Sequence, residues 1–163
     1  MSIKHTAFIG IGSNRGKRKE NCETAVKIIS SLKDTEVIKK SSLYETEAWG
    51  EEGQNYFINC VAKIKTDKNV FDFFSFLQQT EKGIGKEKES VWGPRKIDID
   101  LLFFGQEIIE QSTLTVPHPF LHLRRFVLEP LAEIAPDFVH PKINQPVKNL
   151  LHRLTDPKKA LKI

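Results

Sequence analysis

Phe57-Ile58-Asn59-Cys60-Val61-Ala62-Lys63-Ile64-Lys65 is the stretch on which the fold turns. Ile58, Cys60, Ala62 and Ile64 fall on every second residue, and a strand turns alternate side chains to opposite faces. One face is therefore core. The other carries Phe57, Asn59, Val61 and Lys63. Upstream, Ala7–Ile11 reads as a first strand ending in a turn over residues 12–16. A helix follows over Lys19–Leu32, with Cys22, Ala25, Ile28, Ile29 and Leu32 at helical spacing. Val37–Tyr44 reads as a second strand, and residues 46–54 as a loop. Downstream, Val70, Phe73, Phe74, Leu77 and Ile84 stripe a helix over Val70–Ile84. A polar loop covers residues 85–95. Lys96–Phe104 reads as a fourth strand, turning at Gly105-Gln106 into a short return strand, Glu107–Ile109. From Leu114 the chain is punctuated by prolines, with short helices at Phe126–Ile134 and Val147–Leu154. The order β-α-β-β-α-β predicts an α+β, ferredoxin-like sandwich with helices on one face and a C-terminal extension.

The chain has 163 residues, which suits one domain over residues 1–163. Apolar residues make up 39% and charged residues 28%, as in ordinary globular proteins. No apolar run reaches the ~20 residues of a membrane span, and Met1–His5 lacks the apolar stretch of a signal peptide. A cytoplasmic location is expected. A monomer is expected too, for want of a heptad or a long apolar patch. Two cysteines, Cys22 and Cys60, make neither a disulfide framework nor a zinc set, and read as buried, reduced thiols. A net charge of +4 suits a polyphosphate ligand or a nucleic acid equally.

The strongest chemical signal is Trp92-Gly93-Pro94-Arg95-Lys96-Ile97-Asp98-Ile99-Asp100-Leu101. Alternation puts Ile97, Ile99, Leu101 and Phe103 on one face of the fourth strand and Asp98 and Asp100 on the other. Paired carboxylates repel unless a cation lies between them. Magnesium takes hard oxygen ligands, usually one or two carboxylates plus phosphate oxygens. The bland alternative is two solvated aspartates. Arg95 before the pair and the apolar run after it favour a metal site for two magnesium ions over a triphosphate. Phe57 and Asn59 lie on the same open face by alternation. They either stack on and hydrogen-bond a flat heterocycle, or form a rim aromatic and an edge amide. Lys86, Lys88, Arg95, His118, Arg124 and Arg125 form a basic set of the kind that closes over phosphates. Gly10-Ile11-Gly12-Ser13-Asn14 lacks the Gly-Lys-Ser/Thr ending of a phosphate loop and reads as a turn. Phe71, Phe73, Phe74 and Phe76 read as core, with their excess under the extension.

These motifs, in this order, resemble the 6-hydroxymethyl-7,8-dihydropterin pyrophosphokinase family of folate biosynthesis. The resemblance rests on Gly12-Ser13-Asn14, Ser42-Leu43-Tyr44-Glu45-Thr46, Phe57-Ile58-Asn59, the stretch from Trp92 to Leu101, Pro117-His118-Pro119, and Arg124 with Phe126 before Leu128 and Pro130-Leu131. It implies transfer of the β,γ-diphosphate of ATP to the pterin hydroxymethyl group, with AMP leaving. Asp98 and Asp100 would bind two Mg2+. Phe57 and Phe126 would sandwich the pterin, with Asn59 and the main chain around Thr46 and Trp49 at its edge. Gln78, Glu81, Lys88, Trp92, Arg95, Leu101, Thr115, His118 and Arg124 would line the ATP site. Lys86 and Arg95 would assist transfer. Ala48 replaces a usual proline, Lys86 a common arginine, and Thr113 a basic residue of some members.

One competitor from another class shares the element order: an RNA-recognition domain, with aromatics on an open sheet face. The chain lacks that domain's Lys/Arg-Gly-Phe/Tyr-Gly/Ala-Phe-Val run, and Asp98 and Asp100 would repel a phosphate backbone. The partners expected are therefore two small molecules, ATP and a reduced pterin, without nucleic acid or membrane.

Overall fold

Alternation along β1 (His5–Ser13) sorts the molecule into layers. The computed structural model describes residues 4–47, 55–85 and 96–163. Ala7, Ile9 and Ile11 enter one apolar cluster, and Phe8 enters another on the opposite face. β1 is central, paired antiparallel with β4 (Phe57–Thr66) on one side and β5 (Asp98–Phe104) on the other. With β2 (Thr35–Lys40), β3 (Tyr44–Thr46) and β8 (Ala160–Lys162), the sheet order is β5-β1-β4-β3-β8, and β2 also pairs with β4. The structure is thus a mixed α+β protein on an antiparallel sheet, as expected.

β4 spans ten residues and accommodates two partners along one edge. β2 (Thr35–Lys40) pairs with its far half, from Thr66 to Ala62. β3 (Tyr44–Thr46) pairs with its near half, Asn59 to Phe57. The single strand expected over Val37–Tyr44 is therefore split. Ser41 fills the break: its N–H donates to the Val61 carbonyl, and its Oγ accepts from the Val61 N–H, both at 2.9 Å. A side chain here replaces a ladder bond that the kinked main chain cannot make.

α1 (Arg18–Ser30) and α2 (Val70–Ile84) cover the face formed by Ile9, Ile11, Ile58, Cys60, Ala62, Ile64, Ile99 and Leu101. The Asn69 side chain caps α2 by accepting from the Asp72 N–H at 2.9 Å. Cys22 of α1 and Cys60 are both free and buried here, as expected. α3 (Arg125–Ile134) and α4 (Val147–His152) lie on the other face, where Leu128, Leu131, Val147 and Leu150 pack on Phe8, Val61, Leu102 and Phe103.

Three expectations need correction. Phe103 does not share the face of Ile97, Ile99 and Leu101. The register slips between Phe8 and Ile9, so that Phe8 opposes Phe103 and Ile9 opposes Leu101. That bulge at Leu102 rotates Phe103 to the extension side and brings Phe104 into the helix-side core. The return strand is β6 (Ile109–Glu110), and its partner is β7 (Thr115–Val116), not β5. Phe71 is 47% exposed, because α3 and α4 pack on the face opposite α2 and leave it turned to solvent. Phe73 is fully buried, as expected. A further strand, β8 (Ala160–Lys162), adds to β3. No described helix is long and apolar enough to cross a membrane.

Candidate active site

Two glycines of β1 make a floor on the extension-side face. The cross-strand row Asp98–Gly12–Asn59 runs over β5, β1 and β4, and the neighbouring row is Asp100–Gly10–Val61. Both glycines lie in the strand, so the turn expected at Gly12-Ser13 begins two residues later. A Cβ on Gly12 would collide with Asn59 Oδ1 and touch Phe57 at 3.4 Å. The absence of a side chain is therefore what lets the Asn59 amide lie flat over β1. Gly10 differs, because its nearest neighbour would be the Leu102 side chain at an ordinary 3.6 Å.

Above this floor is a cavity of about 280 Å³, near the small end of small-molecule sites. Its lining includes Thr46, Phe57, Asn59, Asp98, Asp100, His118, Arg124 and Phe126. The two aspartates thus share one concavity with the aromatic-plus-amide pair of β4. The Asn59 amide donates to Thr46 Oγ1 at 2.6 Å, which fixes its orientation from β3. The Arg124 guanidinium sits 5.3 Å from the Phe120 ring centroid and 5.5 Å from that of Phe126, within cation–π range. Burial lowers the Arg124 pKa, opposed by the charges of Asp100 and Asp98. Burial, with Arg124 beside it, depresses the His118 pKa to about 4. His118 Nδ1 accepts from the Phe120 N–H at 3.2 Å, so the neutral ring carries its proton on Nε2.

Other expected residues gather along the outer edge of β5. Glu81 accepts from the Ile99 N–H at 2.9 Å, and the His118 N–H donates to the Leu102 carbonyl at 3.0 Å. Thr115 lies in β7, with its hydroxyl on the Gln111 carbonyl at 3.3 Å. The Leu101 side chain is 3% exposed and belongs to the helix-side core, so only its main chain is presented at the edge. Gln78 is exposed, one helical turn before Glu81 on α2. Among the described lining residues of the cavity, Gln78, Glu81, Leu101 and Thr115 do not figure. Trp49, Lys86, Lys88, Trp92 and Arg95 lie outside the described residues, as does Ala48.

A buried amide cluster holds the entrances of β4 and β5. The Asn21 amide reaches Ser13 Oγ at 3.2 Å, the Arg15 carbonyl at 3.0 Å and the Lys96 carbonyl at 3.3 Å. Asn14 donates to the Asn55 carbonyl at 3.3 Å. Gly10, Gly12, Glu47 and Phe120 also line the cavity. Sequence alone assigns none of these a role in the site. A glycine on the polar-facing positions of a strand that neighbours two aspartates was the available signal for the floor.

Among the described residues no three His, Cys, Asp or Glu side chains gather as a metal site. An open pair of carboxylates facing a cavity is nevertheless the donor set magnesium takes when phosphate oxygens and water complete its shell.

The sequence pattern of 7,8-dihydro-6-hydroxymethylpterin-pyrophosphokinase (HPPK) matches residues 8–136. The 2-amino-4-hydroxy-6-hydroxymethyldihydropteridine pyrophosphokinase of Aquifex aeolicus is 40% identical over 144 residues, 88% of each chain. The Bacillus subtilis protein of that name is 42% identical over 132 residues, 81% of this chain and 79% of its own. Among solved structures, a Plasmodium falciparum HPPK-DHPS triple mutant superposes with a TM-score of 0.68 at 14% identity, over 94% of this chain. The present chain spans 44% of that longer protein, and the likeness at this identity is one of fold. Nothing in these comparisons supports the RNA-binding alternative. A family pattern covering most of the chain, with relatives at this identity over most of their own lengths, places the chain in the 7,8-dihydro-6-hydroxymethylpterin-pyrophosphokinase family.

Proposed function

We propose that the cavity over Gly10 and Gly12 is where the chain transfers the β,γ-diphosphate of ATP to the hydroxymethyl group of 6-hydroxymethyl-7,8-dihydropterin, releasing AMP. The observation that carries this reading is the meeting of Asp98 and Asp100 with Phe57, Asn59 and Phe126 in one concavity. The pterin lies between Phe57 and Phe126, with its polar edge on the Asn59 amide and the main chain near Thr46. The family resemblance adds Trp49 to the residues that bind the pterin. The triphosphate extends toward the outer edge of β5, near Gln78, Glu81, the Leu101 main chain, Thr115, His118 and Arg124. The family resemblance adds Lys88, Trp92 and Arg95 to ATP binding, and Lys86 and Arg95 to transfer.

Asp98 and Asp100 are the residues that would hold Mg2+, two ions in this reading, and the metal would supply neutralisation of the polyphosphate charge. The chain's own residues position the reactants. The pterin alcohol oxygen forms its bond to the β-phosphorus as the bond from that phosphorus to the α-phosphate oxygen breaks, and AMP carries away the electron pair. The alcohol proton leaves to the Asp100 carboxylate or to a water molecule. Arg124 and the His118 Nε2–H face the charge that develops on the phosphates. Positioning and electrostatics carry such reactions, with little covalent work for the protein.

The sheet order supports a finer reading of the fold as well. With β2 and β3 counted as one interrupted strand, the antiparallel order is fourth-first-third-second, the split β-α-β arrangement of a ferredoxin-like sandwich. We read residues 1–163 as one domain of a monomeric, cytoplasmic enzyme acting on two small molecules.

AMP release from ATP tests the reaction, with and without 6-hydroxymethyl-7,8-dihydropterin, in magnesium and in EDTA. The expected result is AMP only when pterin and magnesium are both present. AMP release in EDTA at the same rate would overturn the metal assignment. In folded protein, no AMP under any condition would overturn the transfer reaction. RNA affinity that falls steeply with salt would revive the competitor.

A further inference from the structure

Two walls of the cavity, the start of α3 and the strand β3, are joined by residues 156–162, which lie beyond the residues 8–136 matched by the family pattern. At one end of this strap the Asp156 carboxylate is 8% exposed. Its Oδ2 accepts from the Arg125 main-chain N–H at 2.9 Å, and its Oδ1 from the Lys158 N–H at 3.0 Å. The Asp156 carbonyl accepts from Arg125 Nε at 3.4 Å and Nη2 at 3.2 Å. Arg125 opens α3 and stands between Arg124 and Phe126, both on the cavity wall. A carboxylate on an unpaired N–H of a helix's first turn is a favourable, directional anchor.

At the other end β8 adds to β3. The Ile163 N–H donates to the Leu43 carbonyl at 3.0 Å, and the Glu47 N–H to the Lys159 carbonyl at 3.4 Å. The Lys159 N–H returns to the Glu47 carboxylate at 3.2 Å. These bonds flank the pair Glu45–Leu161, which makes it one of the closely spaced, hydrogen-bonded positions of the ladder. β3 in turn carries Thr46, whose hydroxyl receives the Asn59 amide.

We propose that residues 156–162 are a positioning strap for the pterin half of the site. Asp156 acts through Arg125 on Phe126, and β8 acts through β3 on Thr46 and Asn59. The strap therefore sets the spacing between the aromatic wall and the amide that reads the pterin edge. This proposal rests on the pterin assignment of Phe126 and Asn59 made above.

Steady-state kinetics with each substrate varied in turn test it, in four variants checked for folding by thermal melt. Asp156→Ala removes one anchor. Leu161→Pro removes a ladder donor at a side chain that is 60% exposed, and Leu161→Ala leaves that donor in place. Phe126→Ala tests the underlying site. In Asp156→Ala and Leu161→Pro, the expected result is a KM for 6-hydroxymethyl-7,8-dihydropterin raised about tenfold, the scale of one lost charge-assisted or ladder bond. KM for ATP and kcat stay within about twofold, and Leu161→Ala matches the parent. Should Asp156→Ala fail to fold, Leu161→Pro against Leu161→Ala carries the test alone. An unchanged pterin KM in the folded strap variants, or pterin and ATP constants rising together, overturns the strap. If Phe126→Ala raises pterin KM and the strap variants do not, only the strap falls. If Phe126→Ala also leaves it unchanged, the pterin assignment falls with it.

Discussion

The two faces of the sheet are built from the same three strands and end differently. On the α1/α2 face the apolar positions run without interruption, from Ile64 and Ala7 at one end to Ile58 and Ile99 at the other, all under helices. On the α3/α4 face the apolar run stops half-way. Phe8, Val61, Leu102 and Phe103 are covered. Beyond them the strands present Gly10, Gly12, Asn59, Asp98 and Asp100, and these line a cavity. A sheet buried on both faces is only a scaffold. Here one half-face is left polar, and the rigidity that the opposite face supplies holds that half still.

The largest effect should come from the carboxylates of the open half. Asp98→Ala and Asp100→Ala each remove a group that the proposed reaction sets against the polyphosphate, and losing one well-placed electrostatic contact of this kind costs about 10²–10³ in rate. Both residues are partly exposed, so thermal stability should stay close to the parent's. A covered-half counterpart, Phe103→Ala, should show the reverse: a loss of about 3–5 kcal/mol in unfolding free energy, with kcat kept while the protein remains folded. Turnover by Asp98→Ala within a fewfold of the parent would break the comparison.

Most of this asymmetry was legible in the sequence. A strand's two-residue period separates Ile58, Cys60, Ala62 and Ile64 from Phe57, Asn59 and Val61 without any structure, and it separates Ile99 and Leu101 from Asp98 and Asp100. The motifs then supplied the family. What was not legible depends on main-chain irregularity. The bulge at Leu102 moves Phe103 across the sheet, and no periodicity announces where a register will slip. The break at Ser41–Leu43 splits one expected strand in two, because β4 is long enough to receive both pieces. β8 was missed because three residues, Ala160–Lys162, carry no pattern of their own. They form a strand only where β3 offers a free edge.

A smaller effect separates the two floor glycines. Gly12→Ala forces its Cβ into Asn59 Oδ1. The amide must move off Thr46 or off the edge proposed for the pterin, and on that proposal one lost polar contact predicts a pterin KM raised about ten- to a hundredfold. Gly10→Ala meets only the Leu102 side chain at 3.6 Å, and its β-propensity is no worse, so pterin KM should shift by about twofold or less. Equal effects at the two positions would show that the floor acts through strand flexibility and not through room for the amide.

The smallest effect is on pH dependence, and it again divides the halves. His140 lies under the covered half, 2% exposed, edge-on to Phe103 at 5.3 Å. Its Nδ1 accepts from the Lys142 and Ile143 N–H groups, both at 3.1 Å. Burial, followed by the nearby His122, depresses its pKa to about 4. His118 in the open half is depressed to a similar value, by burial and by Arg124. The ordinary value is 6.5, so on acidification the unfolded chain takes up these protons first. Stability is then complete above about pH 6.5 and falls as pH drops toward 4. For the buried His140 the loss between pH 7 and 5 should be about 1–2 kcal/mol, at 1.36 kcal/mol per unit, and less for the more exposed His118. Urea midpoints at the two pH values measure it. His140→Asn retains an oxygen acceptor for the two N–H groups and removes the titration, so its midpoint should fall less between pH 7 and 5 than the parent's. A parent midpoint that does not fall over that range would mean that His140 takes its proton inside the covered half without disturbing it.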